Sequence, residues 1–158
     1  MEYAIVRVNR DNYWMLDDLV FYRINGRGKN ASERAETPNF DAAYESLENE
    51  NLSVFAAWLD DKLIGWISVV YIPKVGRTMG RGHLFIDELY VMPAYRKQGV
   101  AKALMEKAEQ LSQDIGALGL RLYVNRANAA ANALYKKCGY QTRGEALFME
   151  KVRRGQCP

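Results

Sequence analysis

The stretch "HLFIDELYVMPAYRKQGVAKAL", His83–Leu104, decides the fold. Its first ten residues, His83–Met92, are rich in strand formers, with the acidic pair Asp87 and Glu88 set among apolar neighbours. Past Pro93 the period changes. "KQGVAKALMEKAEQLSQDIG", Lys97–Gly116, places Val100, Leu104, Ala108 and Leu111 on one helical face, and Gly116 suits its end. "LGLRLYV", Leu118–Val124, is again strand-like. A strand–helix–strand unit over His83–Val124 predicts two parallel strands joined by a right-handed crossover.

The flanks extend the pattern. "SVFAAWL" (Ser53–Leu59) and "KLIGWISVVYI" (Lys62–Ile72) read as a hairpin turning at Asp60–Asp61, and "KVGRTMGRG" (Lys74–Gly82) as a second, basic turn. "YAIVRV" (Tyr3–Val8) is a first strand. "DNYWMLDDLVFYRI" (Asp11–Ile24) begins with a cap at Asp11 or Asn12 and spaces Met15, Leu19 and Tyr22 helically. "NFDAAYESLENEN" does the same with Phe40, Tyr44 and Leu47. Between them, Asn25–Pro38 is polar and reads as a long loop, a length that suggests a functional segment. "NAAANALYKKCGY" (Asn128–Tyr140) is a second late helix, with Ala131, Leu134, Tyr135 and Cys138 on one face and Gly139 at its end. "YQTRGEALFMEKV" (Tyr140–Val152) suggests two short strands split at Arg143–Gly144, and the tail 153–158 reads as disordered. The expected fold is mixed α/β, a single domain over 1–158.

Composition narrows the function. A net charge of +3 is too mild for nucleic acid without a recognisable module. No apolar run approaches the ~20 residues of a membrane span, and "MEYAIVRVNR" lacks the form of an export signal. Cys138 and Cys157 do not have metal-ligand spacing, and His83 is the one histidine, so no metal is expected. A reducing cytoplasm is the expected setting.

Gly99 sits where the helix after the quoted strand begins. The first four amides of a helix are unpaired and lie at the positive end of its dipole, so an anion placed there meets several donors. Glycine lets a ligand approach, Ala101 keeps the next position small, and Arg96, Lys97 and Lys102 add charge. The stretch is a pyrophosphate cradle or an ordinary loop-to-helix join. It is not a nucleotide-triphosphate loop or a dinucleotide fingerprint, since neither glycine pattern is present.

Two separated blocks choose between these readings. "ELYVMPAYRKQGVAKAL" and "NRANAAANALYKKCGY" together resemble the GNAT superfamily of acetyl-CoA-dependent N-acetyltransferases. The first signature, Arg/Gln-x-x-Gly-x-Gly/Ala after a Val-x-Pro strand end, is matched by Arg96, Gly99 and Ala101 behind Val91 and Pro93. The second, an Asn followed seven residues later by Tyr and then a Gly-aromatic pair, is matched by Asn128, Tyr135 and Gly139–Tyr140. "DDKLIGWISVV" is similar to the family's earlier hairpin, and "ALFMEK" to its last strand.

The resemblance implies a central, mostly antiparallel mixed sheet with helices on both faces and a parallel strand–helix–strand cofactor unit. It implies acetyl-CoA as cosubstrate, held by the amides of Gln98, Gly99, Val100, Ala101 and Lys102, by Arg96, by the backbone of Leu89, Tyr90 and Val91, and by Asn128 on the pantetheine arm. Tyr135 would donate a proton to the leaving thiolate. The amine needs a base, for which Asp87 ranks first, Glu88 second and His83 third. Alternation forbids Asp87 and Glu88 from sharing a cleft unless a bulge intervenes.

Each residue also has a plainer reading. Tyr135 fits a core position, Asn128 a helix cap, Cys138 a packed helix end, and Asp87 with Glu88 a cation-binding pair. Arg27, Lys29 and Arg34 in the long loop either attract an acidic group or keep the loop solvated. The expected activity is acetyl transfer to a primary amine of a small molecule. A protein lysine or N-terminal amine as acceptor, or a non-catalytic acetyl-CoA-binding module, are the alternatives. A homodimer is left open.

Overall fold

Alternating apolar residues build one five-stranded sheet. Its strands are β1 (Ala4–Arg7), β2 (Leu52–Leu59), β3 (Lys62–Ile72), β4 (His83–Val91) and β5 (Leu120–Leu122), in that spatial order. The first four pair antiparallel, and β4 pairs with β5 in parallel. The helices are α1 (Tyr13–Asn25), α2 (Ala31–Ala35), α3 (Asp41–Leu47), α4 (Val100–Asp114) and α5 (Ala129–Lys137). The computed structural model describes residues 1–36, 38–76 and 80–153, and the chain forms two compact units, Met1–Val124 and Asn125–Pro158.

In the first unit the core lies on both faces of the sheet. Met15, Leu16 and Leu19 of α1 pack with Val8, Val54, Ala56, Leu63 and Trp66. Residues one step along the strands, such as Ile67 and Val69, are fully buried and point to the other face. There α4 packs across β2, β3 and β4, with Val100, Leu104, Met105 and Ala108 almost wholly buried. Truncating Leu104 to Ala would leave a cavity costing about 2–5 kcal/mol. The predicted crossover from β4 through α4 to the parallel β5 is present. The hairpin turns at Asp60 and Asp61, whose positive φ of 45° and 59° suits a two-residue hairpin loop.

Two sequence expectations need correction. The Asn25–Pro38 segment is not all loop, because α2 forms inside it. The Asn30 side chain accepts from the Glu33 amide, and Glu33 reaches back to the Asn30 amide. "NASE" carries this capping box in plain view, and its Asn in place of Ser or Thr hides it. The two short strands expected in Tyr140–Val152 are absent, for residues 141–153 carry no regular structure. Leu147, Phe148 and Met149 are exposed side by side. Three consecutive apolar residues lack the alternation of a half-buried strand. Most of the tail 153–158, with Cys157, lies outside the described residues, as do 77–79 of the second turn.

Candidate active site

The acidic pair of β4 sits at a β-bulge. Ser68 pairs with Glu88, but the next residue, Val69, pairs with Ile86, leaving Asp87 as the extra residue. The bulge reverses the alternation. His83 and Phe85 share a face with Ile72 and Val70, and Glu88 and Tyr90 share that same face with Ser68 and Trp66. Asp87, two residues past Phe85, falls on it as well. Both carboxylates are exposed on the side of the sheet that α1 covers.

Beyond the bulge β4 loses one neighbour. β5 pairs only with Leu84–Ile86, so Leu89–Val91 are bonded to β3 and, among the described residues, have no strand on the other edge. One of their carbonyls is taken, since Arg96 Nε donates to Val91 O at 2.9 Å. Arg96 is therefore a brace for the turn between β4 and α4, and its guanidinium also lies 5.8 Å from the centre of the Tyr90 ring.

That turn delivers the chain to α4 through a 3₁₀ turn at Pro93–Tyr95. Lys97 and Gly99 both take positive φ, 60° and 87°. Among the described residues no side chain caps α4, which leaves its first amides without a side-chain acceptor. A Cβ at Gly99 would meet only Tyr3 Oη, at 3.9 Å, and the left-handed φ is what excludes other residues there. Gln98 folds back onto Ala94 O at 3.0 Å, and Lys102 pairs with Glu106 at 3.3 Å. Among the described residues the Lys97 side chain has no hydrogen bond to compete with an anion, and Val100 and Ala101 contribute amides only.

Glu88 is the centre of a cluster the sequence did not announce. Trp66 Nε1 donates to one carboxylate oxygen at 3.3 Å, and Arg23 Nη1 reaches the other at 3.4 Å. The rings of Trp66 and Tyr90 stand 4.9 Å apart, tilted by 44°. The Arg23 guanidinium lies over both, 5.3 Å from Trp66 and 5.4 Å from Tyr90. Arg23, Trp66 and Tyr90 come from α1, β3 and β4, so no spacing in the sequence joins them. Ser68, opposite Glu88, has a buried hydroxyl with no hydrogen-bond partner among the described residues. Among the described residues Asp87 makes no hydrogen bond or ion pair. His83 stands four residues before Asp87, about 13 Å along the strand. Burial, then Arg121 and Lys74, hold its pKa below the ordinary histidine value.

The basic loop residues, read either as attracting an acidic group or as keeping the loop solvated, are engaged in ion pairs within the chain. Lys29, little exposed, bridges Asp17 and Asp18 of α1, and Arg34 also reaches Asp18. Arg27 makes two bonds of 2.8 Å to Glu33. Burial pulls the Lys29 pKa down, and its hydrogen bonds to Asp17 and Asp18 outweigh that and raise it. The Arg27 hydrogen bonds lower Glu33 to about 2. Beside this clamp lies a hollow of about 480 Å³ lined by Asp17, Phe21, Lys29, Glu33, Glu36 and Pro38. It shares no residue with the β4 bulge or the turn at Gly99.

In the second unit Asn128 caps α5, its side chain accepting from the Ala131 amide at 3.1 Å. Tyr135 is half-buried on the face that carries Ala131, Leu134 and Cys138. Burial, then Cys138, raises its pKa above the ordinary tyrosine value. Its ring lies 6.0 Å from that of Tyr140. The helix ends at Gly139, with φ 85°.

The strand-to-helix turn in the first unit and the Asn-capped helix in the second belong to a known pattern. Residues 17–140 match the Acetyltransferase (GNAT) family. The chain belongs to the GNAT family. Thialysine N-epsilon-acetyltransferase from Bos taurus is 36% identical over 144 residues, covering 90% of this chain and 79% of its own length. Streptothricin acetyltransferase from Escherichia coli is 25% identical over 147 residues, covering 92% and 80%. Among solved structures, an aminoglycoside acetyltransferase from an uncultured soil metagenomic sample superposes with a TM-score of 0.78 at 21% identity, covering 97% of this chain and 99% of that one. That likeness shows the shared fold. This GNAT protein is an acetyltransferase, and acetyl-CoA is the family's acetyl donor. Among the described residues no group of side chains could hold a metal ion, and no helix is long and apolar enough to cross a membrane.

Proposed function

We propose that this GNAT protein transfers the acetyl group of acetyl-CoA directly to a primary amine of a small cationic molecule. The observation that carries this reading is the β4 bulge. It sets two carboxylates on one face of the sheet and is followed by a strand edge without a partner and a helix start without a cap. The relatives give it context, since two are named for streptothricin and thialysine and the solved neighbour for an aminoglycoside.

The residues present fit the cosubstrate. Uncapped amides from Gln98 to Lys102, opened by the left-handed Gly99, suit a pyrophosphate, with Lys97 and Lys102 adding charge. The free edge of Leu89–Val91 suits the amides of an extended arm, which would pair as an added strand, leaving Val91 O to Arg96. Asn128 would bond that arm while keeping its role as the α5 cap. Acetyl-CoA supplies an acetyl group on a thioester, activated for attack by nitrogen.

The proton steps fall to the chain. At neutral pH the acceptor is an ammonium ion and must lose a proton before its lone pair can attack. Asp87, without a partner, takes that proton directly or through a water. Glu88 holds the cation. Tyr135, kept protonated by burial, gives its proton to the thiolate that leaves, which departs as the thiol. His83 is too far along the strand from this pair to share the task.

A melting experiment tests the cosubstrate half. A ligand that binds only the folded chain stabilises it by about 2.7 kcal/mol at a hundred times its Kd. Acetyl-CoA at that excess should raise Tm by several degrees, and an unchanged Tm would overturn the reading. Cytoplasmic placement is part of the same proposal, following from the donor it uses.

A further inference from the structure

The cluster around Glu88 has the chemistry of a cation receptor, and the chain has supplied its own cation. Two aromatic rings attract a positive charge through their negative faces, and a carboxylate beside them adds Coulomb attraction. Trp66 and Tyr90 stand 4.9 Å apart and Glu88 accepts from the Trp66 indole, which fixes the carboxylate against the rings. The guanidinium of Arg23 lies within 5.4 Å of both ring centres. Yet its grip is loose. The bond to Glu88 is long, 3.4 Å, and the Arg23 side chain is 44% exposed. An arginine held by one long bond at the surface, on a residue close to the end of α1, can swing out.

We propose that Trp66, Tyr90 and Glu88 are the seat for the acceptor's ammonium group, and that Arg23 is a built-in competitor occupying it. The inference rests on the acetyltransferase reading for the identity of the acceptor. The bulge puts Asp87 next to the seat on the same face, so an ammonium bound there meets the group that takes its proton. Because Arg23 must leave first, the seat's apparent affinity is its intrinsic affinity reduced by the fraction of time the seat is open. Arg23 is thus a built-in brake that lowers the affinity of every ammonium acceptor by the same factor.

The test uses the full chain and two probes, spermidine and n-butylamine, titrated by calorimetry without acetyl-CoA. Arg23→Met keeps much of the stem and removes the charge. It should bind both probes about fivefold tighter than the native chain, the two ring contacts having been freed. The gain should be the same factor for both, because the open fraction does not depend on the ligand. Arg23→Lys should return affinity towards the native value, and adding Trp66→Leu to Arg23→Met should erase the gain. Equal or weaker binding by Arg23→Met, or no binding of either probe to any variant, would overturn the seat. Tm of each variant checks that the fold is intact. In a separate acetylation assay, a chain that binds spermidine as predicted but transfers no acetyl group to it would refute the proposed small-amine acceptor and leave the seat standing.

Discussion

The two ends of the β4–α4 unit are built from different materials. The helix start at Gly99 is made of backbone: a left-handed glycine, uncapped amides and an arginine tied to a carbonyl. The bulge end is made of side chains drawn from α1, β3 and β4. Backbone devices depend on a few residues at fixed offsets, so they leave a mark in the sequence. Side-chain clusters depend on which elements the fold brings together, so they leave almost none. The same contrast predicts how each end breaks. One backbone substitution should remove the donor outright, whereas the side-chain end should fail by degrees.

The largest effect is expected at the backbone end. Gly99→Glu puts a β-carbon on a φ of 87° and an anion where the pyrophosphate would lie. Acetyl-CoA should then produce no Tm shift, and a native-sized shift would mean that the donor binds elsewhere. Next comes proton transfer. Tyr135→Phe should lower kcat by about a hundredfold, the low end for a positioned acid, with acetyl-CoA affinity unchanged. Steady-state kinetics with unaltered kcat would reduce Tyr135 to the packing residue its helix face also allows.

At the bulge the two carboxylates should separate by role. Asp87→Asn should act mainly on kcat, by about a hundredfold, and Glu88→Gln mainly on the acceptor's KM, by about tenfold. A reversed pattern would exchange base and anchor. The smallest effect belongs to the α2 clamp. Glu33 falls from an ordinary 4.5 to about 2, so its contribution is complete above pH 4.5 and disappears as pH falls through 2. Lys29 is raised above 10.5, so its contribution is complete below that pH and is lost at still higher pH. NMR titration of the Glu33 carboxyl should show a midpoint near 2. A midpoint near 4.5 would mean that Arg27 does not hold it in solution.

Much of the frame was legible. The period change at Pro93 gave strand and helix, and the β4–α4–β5 unit followed from the rule for crossovers. The adjacent acids Asp87 and Glu88 pointed to a bulge without proving one, because sharing a face requires it. The α2 helix was hidden because its capping box begins with Asn. The absent strands after Tyr140 were misread from strand-forming residues that never alternate. Arg23 could not have been assigned, for its partners Trp66 and Tyr90 are brought to it by the antiparallel register and the α1 packing alone. The pairing of the basic loop was not legible, because its acidic partners Asp17 and Asp18 lie on another element.

The central claim is that acetyl-CoA and a small cationic amine react on this chain. It is tested most directly by following free thiol release from acetyl-CoA against a panel of polyamines, aminoglycosides, lysine-like amino acids and lysine-bearing peptides, with products checked by mass spectrometry. The account predicts acetylated polyamine or aminoglycoside. Acetylation of the peptides alone, or of nothing in the panel, would contradict it.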